Sequence, residues 1–187
     1  MKKSVLRTVC LCAVMLALGT ALSQIRLVQM PFGGTVTLLS MLPVCFISLY
    51  HGVKTGLKTA FAYALIQLLL DLPAAMSYGM TPVMWFGSVI FDYLAAFTVL
   101  GLAGLFRQKG VSGAALGIGL ACFLRFVSHV FSGVVFFGNL MPEGFPNPLI
   151  YSVLYNGAFM LPELIATVIG GTAVYGATRK MKMKDDR

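Results

Sequence analysis

Charge is the scarcest commodity in this chain. Only 11% of its 187 residues are charged, and just 6 are acidic. A water-soluble domain carries about a quarter charged residues, so a soluble enzyme or solvent-facing binding module does not fit. Hydrophobic residues make up 58% of the chain, which points to an all-α polytopic membrane protein forming a single domain over residues 1–187.

Cysteine and histidine are equally sparse, with 4 and 2 residues. Cys10, Cys12, Cys45 and Cys122 fall in apolar sequence without neighbouring histidines, so they read as small packing residues, and neither disulfides nor metal ligands are expected. Catalytic signatures are missing too. There is no Gly-x-Ser-x-Gly elbow and no His-Glu-x-x-His. The stretch Gly52-Val-Lys-Thr-Gly56-Leu-Lys58-Thr59 has the wrong spacing for a phosphate loop and follows no soluble strand. The chain is therefore not expected to hydrolyse ATP, and no cofactor is implied.

The net charge of +8 belongs to topology and not to a polyanionic partner. Lys2, Lys3 and Arg7 precede the first apolar run. Lys54 and Lys58 separate the second from the third, and Arg107 and Lys109 follow the fourth. Arg179, Lys180, Lys182, Lys184 and Arg187 close the chain. Only Arg26 sits in the alternate loops, so the positive-inside rule puts both termini in the cytoplasm. Apolar runs of about 20 residues cross a bilayer, and six helices are expected, roughly over 5–24, 36–51, 54–72, 84–106, 112–138 and 148–177. The first reads as a retained span, because an even helix count needs it. The second is short for a full crossing and reads as tilted or partly re-entrant.

Polar residues inside such runs mark ligand or ion sites. Arg125, His129, Gly133 and Phe137 recur at every fourth position, so they stack along one helix face. That face offers a charge, an imidazole, a gap without a side chain and an aromatic plate, which suits a flat heterocycle. Asp92 and Tyr93 interrupt the fourth apolar run. An unpaired carboxylate in hydrocarbon is costly, so Asp92 faces either Arg125, His129 or a cationic ligand. Tyr151, Tyr155 and Asn156 open the last helix, Asn156 with both a donor and an acceptor. Glu163 behind Pro162 is either a second site residue or a partner of the proline kink. Ala13, Ala17 and Ala21 line a smooth face of the first helix, which another helix can approach closely.

Four blocks carry a resemblance over nearly the whole chain. They are Met30-Pro31-Phe32-Gly33-Gly34-Thr35-Val36-Thr37-Leu38 with Met41-Leu42-Pro43; Asp92-Tyr93 leading to Leu100-Gly101-Leu102-Ala103-Gly104-Leu105-Phe106; Leu124-Arg125-Phe126 with His129, Ser132-Gly133 and Phe136-Phe137-Gly138; and Ile150-Tyr151-Ser152 with Tyr155-Asn156. In this order and spacing they resemble the thiamine-specific substrate-binding components of energy-coupling-factor transporters, the ThiT/YuaJ type. The resemblance implies a multi-pass bacterial cell-membrane protein that binds thiamine from outside and is not an enzyme. It also implies docking, through the alanines Ala13, Ala17 and Ala21, onto a transmembrane coupling protein driven by two cytosolic ATPases. Carried over residue by residue, the implied binding set is Asp92, Tyr93, His129, Gly133, Phe137, Tyr151 and Asn156, with Tyr63 filling a further aromatic place. Relatives with tryptophans and a glutamate in the pocket differ from this chain, whose sole tryptophan is Trp85. The open alternatives are a thiamine precursor such as the hydroxymethyl pyrimidine, another vitamin, and an intramembrane hydrolase using Asp92, His129 and Glu163.

Overall fold

The computed structural model describes residues 3–185; Lys2 and Arg187 of the basic pattern lie outside them. The described chain is helical apart from one hairpin. Its helices are α1 (Lys3–Ser23), α2 (Leu42–His51), α3 (Val53–Met76), α4 (Pro82–Gly104), α5 (Gly110–Phe136) and α6 (Pro148–Asp185). All except α2 are long and apolar enough to cross a membrane. The six expected helices are present, with one correction: α2 starts at Leu42, and the segment assigned to its first turns is a strand.

That strand, β2 (Thr35–Thr37), pairs antiparallel with β1 (Arg26–Gln29), aligning Val28 with Val36 and Gln29 with Thr35. The β-branched run Thr35-Val36-Thr37 suits a pleated chain better than a helix. Leu39 then takes a φ of 59°, which breaks any helix begun upstream, and Pro43 fits the first turn of α2. At the tip of the hairpin Phe32 and Gly33 take φ values of 59° and 92°, a conformation that glycine adopts freely and phenylalanine does not.

The two ends of the bundle are built differently. At the basic end, helices touch backbone to backbone. A Cβ on Gly104 would lie 2.1 Å from the Ser48 carbonyl oxygen, and one on Gly117 would lie 2.0 Å from that of Ala103. Small residues permit this approach where lipid gives no hydrophobic push between helices. The buried core includes Val44, Cys45, Leu100, Ile118 and Cys122 and extends to Tyr63 and Phe97 beneath a cavity. At the opposite end the hairpin and its neighbouring loops, together with the helices, line that cavity. The helix α1 stands at the edge, where Val5, Leu6, Val9, Val14 and Leu18 are exposed.

Candidate functional site

The hairpin end holds a cavity of about 380 Å³. Its polar wall begins with a local irregularity in α4. Residues Val89–Ala95 form a π-helical turn, a widening often found where function requires it. The turn places the neighbours Asp92 and Tyr93 together in the cavity lining. Of the carbonyls in the widened turn, that of Phe91 accepts a hydrogen bond from Ser128 Oγ at 2.6 Å.

Asp92 does not meet arginine directly. Its Oδ1 lies 3.0 Å from His129 Nδ1, and its Oδ2 accepts the Ser132 hydroxyl at 2.5 Å. On the far side of the imidazole, Arg125 Nε donates to His129 Nε2 at 3.2 Å. The Arg125 guanidinium also lies over the Phe97 ring, 4.2 Å from its centroid, so it does not snorkel away. The result is a hydrogen-bonded row in which an imidazole stands between a guanidinium and a carboxylate. His129 and Asp92 side chains are 11% and 18% exposed, so the row operates largely out of water.

Aromatic rings build the opposite wall. Phe32 from the hairpin tip, Tyr78 from the loop after α3 and Phe137 at the end of α5 meet edge to face, with centroids 5.9–6.3 Å apart. Burial pushes the Tyr78 phenol up from its ordinary range, so it stays a neutral donor at physiological pH. The hairpin is fastened to α6 at two levels. The Tyr155 hydroxyl donates to the Pro31 carbonyl and accepts Gly34 N–H at 3.0 Å. Two turns further along α6, Glu163 Oε1 accepts the Thr37 N–H and the Thr37 hydroxyl, the latter at 2.7 Å. A third tie is the Arg26–Asp71 ion pair at 3.1 Å, from β1 to α3.

A model of the family described as "Thiamine transporter protein (Thia_YuaJ)" matches residues 9–182. The chain belongs to the thiamine transporter family. A relative from Bacillus subtilis (strain 168), "Thiamine transporter ThiT", is 33% identical over 153 residues, which is 75% of this chain and 74% of that one. A solved structure titled as ThiT from Listeria monocytogenes superposes with a TM-score of 0.75 over 95% of this chain and 98% of the other, at 20% identity. At that identity the likeness speaks for the fold. Family membership makes the chain a membrane transporter and not an enzyme.

In this thiamine transporter family member, the eight residues expected to bind substrate all line the cavity: Tyr63, Asp92, Tyr93, His129, Gly133, Phe137, Tyr151 and Asn156. Their parts differ from the simple picture. The gap at Gly133 is filled by the facing helix, because a Cβ there would lie 2.2 Å from Ser152 Oγ. Tyr63 is fully buried, with its hydroxyl on the Gly19 and Ser40 carbonyls and its ring edge-on to Phe97, so it supports the floor and presents no open face. Asn156 Nδ2 donates to the Ser152 carbonyl at 2.9 Å and to Ser152 Oγ at 3.1 Å, which leaves its carbonyl oxygen as the group to address a ligand. Tyr151 packs against Phe145 and Tyr155 at the rim.

Sequence reasoning passed over Phe32, Tyr78, Phe159 and the Arg26–Asp71 pair, all in the lining. Phe32 and Tyr78 come from loops, where no periodicity marks the inward side. Phe159 was legible, since Tyr155, Phe159 and Glu163 follow one another at every fourth position of α6.

Proposed function

We propose that the cavity captures thiamine, and that the chain is the substrate-binding component of an energy-coupling-factor importer. The observation that carries this reading is the pairing of a carboxylate row with aromatic walls in one cavity. The volume of about 380 Å³ lies within the range of about 300–1,000 Å³ usual for small-molecule sites. Three carboxylates line it (Asp71, Asp92 and Glu163) against two guanidiniums (Arg26 and Arg125), a formal excess of one negative charge. Thiamine matches each element. Its thiazolium is a permanent cation, its aminopyrimidine is flat with polar edges, and both rings suit the Phe137 and Tyr93 faces. Asp92 is the anionic contact, and the Asn156 carbonyl oxygen is an acceptor for an amino group. Relatives named as thiamine transporters support the ligand assignment. Capture occurs on the side away from the basic loops, and delivery inward needs a coupling protein and two cytosolic ATPases.

The test is calorimetric titration of the purified protein with thiamine, its pyrimidine half and its thiazolium half. The whole vitamin should bind most tightly. Asp92→Asn, with the same melting temperature, should weaken thiamine by roughly thirtyfold or more, because losing one member of a desolvated charge contact costs about 2 kcal/mol or more. Undiminished affinity in that variant overturns the pocket as drawn. Equal binding of the pyrimidine half alone transfers the assignment to the precursor.

A further inference from the structure

The row Arg125–His129–Asp92–Ser132 fixes where a histidine carries its proton. Arginine nitrogens only donate, so at 3.2 Å the Arg125 Nε is the donor and His129 Nε2 the acceptor. An accepting ring nitrogen bears no hydrogen. The single hydrogen of the imidazole therefore sits on Nδ1, directed at Asp92 Oδ1 at 3.0 Å. Ser132, fully buried, caps the other carboxylate oxygen at 2.5 Å. Arg125 is itself anchored over the Phe97 ring at 4.2 Å. Each member has one consistent role, and reversing the histidine would set hydrogen against hydrogen at one contact and lone pair against carboxylate at the other.

We propose that Arg125 is a positioning residue that locks His129 as the neutral Nδ1–H tautomer and so keeps Asp92 available to an organic cation as the surroundings acidify. Without Arg125, the Nε2 lone pair is open to a proton, and the carboxylate beside Nδ1 favours the imidazolium so formed. That internal cation then competes with the ligand for Asp92. With Arg125 present, protonation of Nε2 has to break the 3.2 Å hydrogen bond and place two like charges at that separation. Other titratable groups share the cavity: Tyr63 and Asp71 on α3, Tyr78 in the loop after it, Tyr93 on α4, Tyr151, Tyr155 and Glu163 on α6, and Arg26 on the hairpin. Among the described residues only Arg125 and Asp92 hydrogen-bond the His129 ring; the nearest aromatic neighbour, Phe159, meets it edge-on at 5.9 Å.

The ligand readout rests on the thiamine assignment, whereas the tautomer readout does not. Full-length protein labelled with ¹⁵N-histidine is recorded ligand-free in detergent from about pH 7.5 to 5.5, a window spanning the ordinary histidine value of about 6.5, and His129 is assigned by difference from His129→Gln. Thiamine affinity is measured across the same window for wild type, Arg125→Met and Arg125→Lys. The wild-type ring is expected to hold the neutral Nδ1–H pattern throughout. In Arg125→Met it should protonate, and affinity relative to wild type should fall by up to about tenfold per pH unit, the limit for one competing proton. Arg125→Lys, which keeps the positive charge, should stay near the wild-type profile. Titration of the ligand itself appears in every profile and cancels. A wild-type ring that is an imidazolium or the Nε2–H tautomer overturns the proposal, as does an Arg125→Met profile superposable on wild type. If Arg125→Met does not fold, the wild-type spectrum alone decides. Wild-type protein that binds no thiamine sinks the ligand assignment and leaves the spectrum to judge the tautomer.

Discussion

Gly133 illustrates how one residue can be read correctly as necessary and wrongly as empty. Its spacing places it in line with Arg125, His129 and Phe137, and all four reach the cavity wall. The missing side chain makes room for Ser152 of α6, not for a ligand ring. Ser152 in turn holds the Asn156 amide and donates to the Val130 carbonyl at 3.0 Å. Gly133→Ala should therefore act through α6. With 2.2 Å between the new Cβ and Ser152 Oγ, the variant should lower both the melting temperature and thiamine affinity. Overpacking of this kind costs about 1–3 kcal/mol. Adding Ser152→Gly should recover most of the melting temperature. A Gly133→Ala protein as stable and as tight as wild type would mean that the helices separate at no cost. The order Arg125, His129, Asp92 was not legible at this scale. Helical spacing put Arg125 and His129 on one face, but only three-dimensional packing set the imidazole between the charges.

Among the elements, the hairpin was hidden from the sequence. Thr35-Val36-Thr37-Leu38-Leu39 continues into an apolar helix without a charged residue between them, and largely apolar runs of this length look alike in strand and helix. The deciding contacts are distant in sequence: Arg26 with Thr37 across the hairpin, and Thr37 with Glu163 of α6. Glu163 is 3% exposed, and its Oε2 has no partner among the described residues, so its visible task is to hold β2 through Oε1. Removing it leaves the Thr37 N–H without its acceptor, at about 1–3 kcal/mol for a buried unsatisfied group, while the Thr37 hydroxyl keeps Ser40 Oγ at 2.6 Å. Glu163→Ala should release thiamine roughly tenfold faster in stopped-flow displacement, whereas Glu163→Gln keeps the accepting oxygen and should stay close to wild type. Identical release rates in the alanine variant would show that the hairpin stays in place without this tie. The π-helical turn at Asp92 was equally hidden, because a single widened turn leaves no mark on hydropathy.

The whole molecule divides its work between a tightly seamed basic end and an open opposite end. Glycine-to-backbone contacts at the first make a rigid base, from which the helices can hold a cavity without collapsing it. The exposed flank of α1 is the surface on which the proposed coupling protein would dock. Ala13, Ala17 and Ala21 are exposed there beside Val9, Val14 and Leu18, a shallow surface that admits another helix at close range. Ala17→Trp should abolish thiamine uptake by cells carrying the complete importer and leave calorimetric binding by the isolated protein unchanged. Retained uptake places the coupling surface on another face.

Composition and local pattern were sufficient for the membrane class, the six helices and part of the polar lining, including Asp92, Arg125, His129 and Asn156. Those properties follow from short-range physics: bilayer thickness sets the length of apolar runs, and helical periodicity sorts residues onto faces. The tertiary structure alone decided that His129 stands between Arg125 and Asp92, that Ser152 fills the space at Gly133, and that a hairpin pinned by Tyr155 and Glu163 closes the roof. Each depends on groups far apart in the chain, whose meeting is set by how the helices pack and not by any neighbour in sequence.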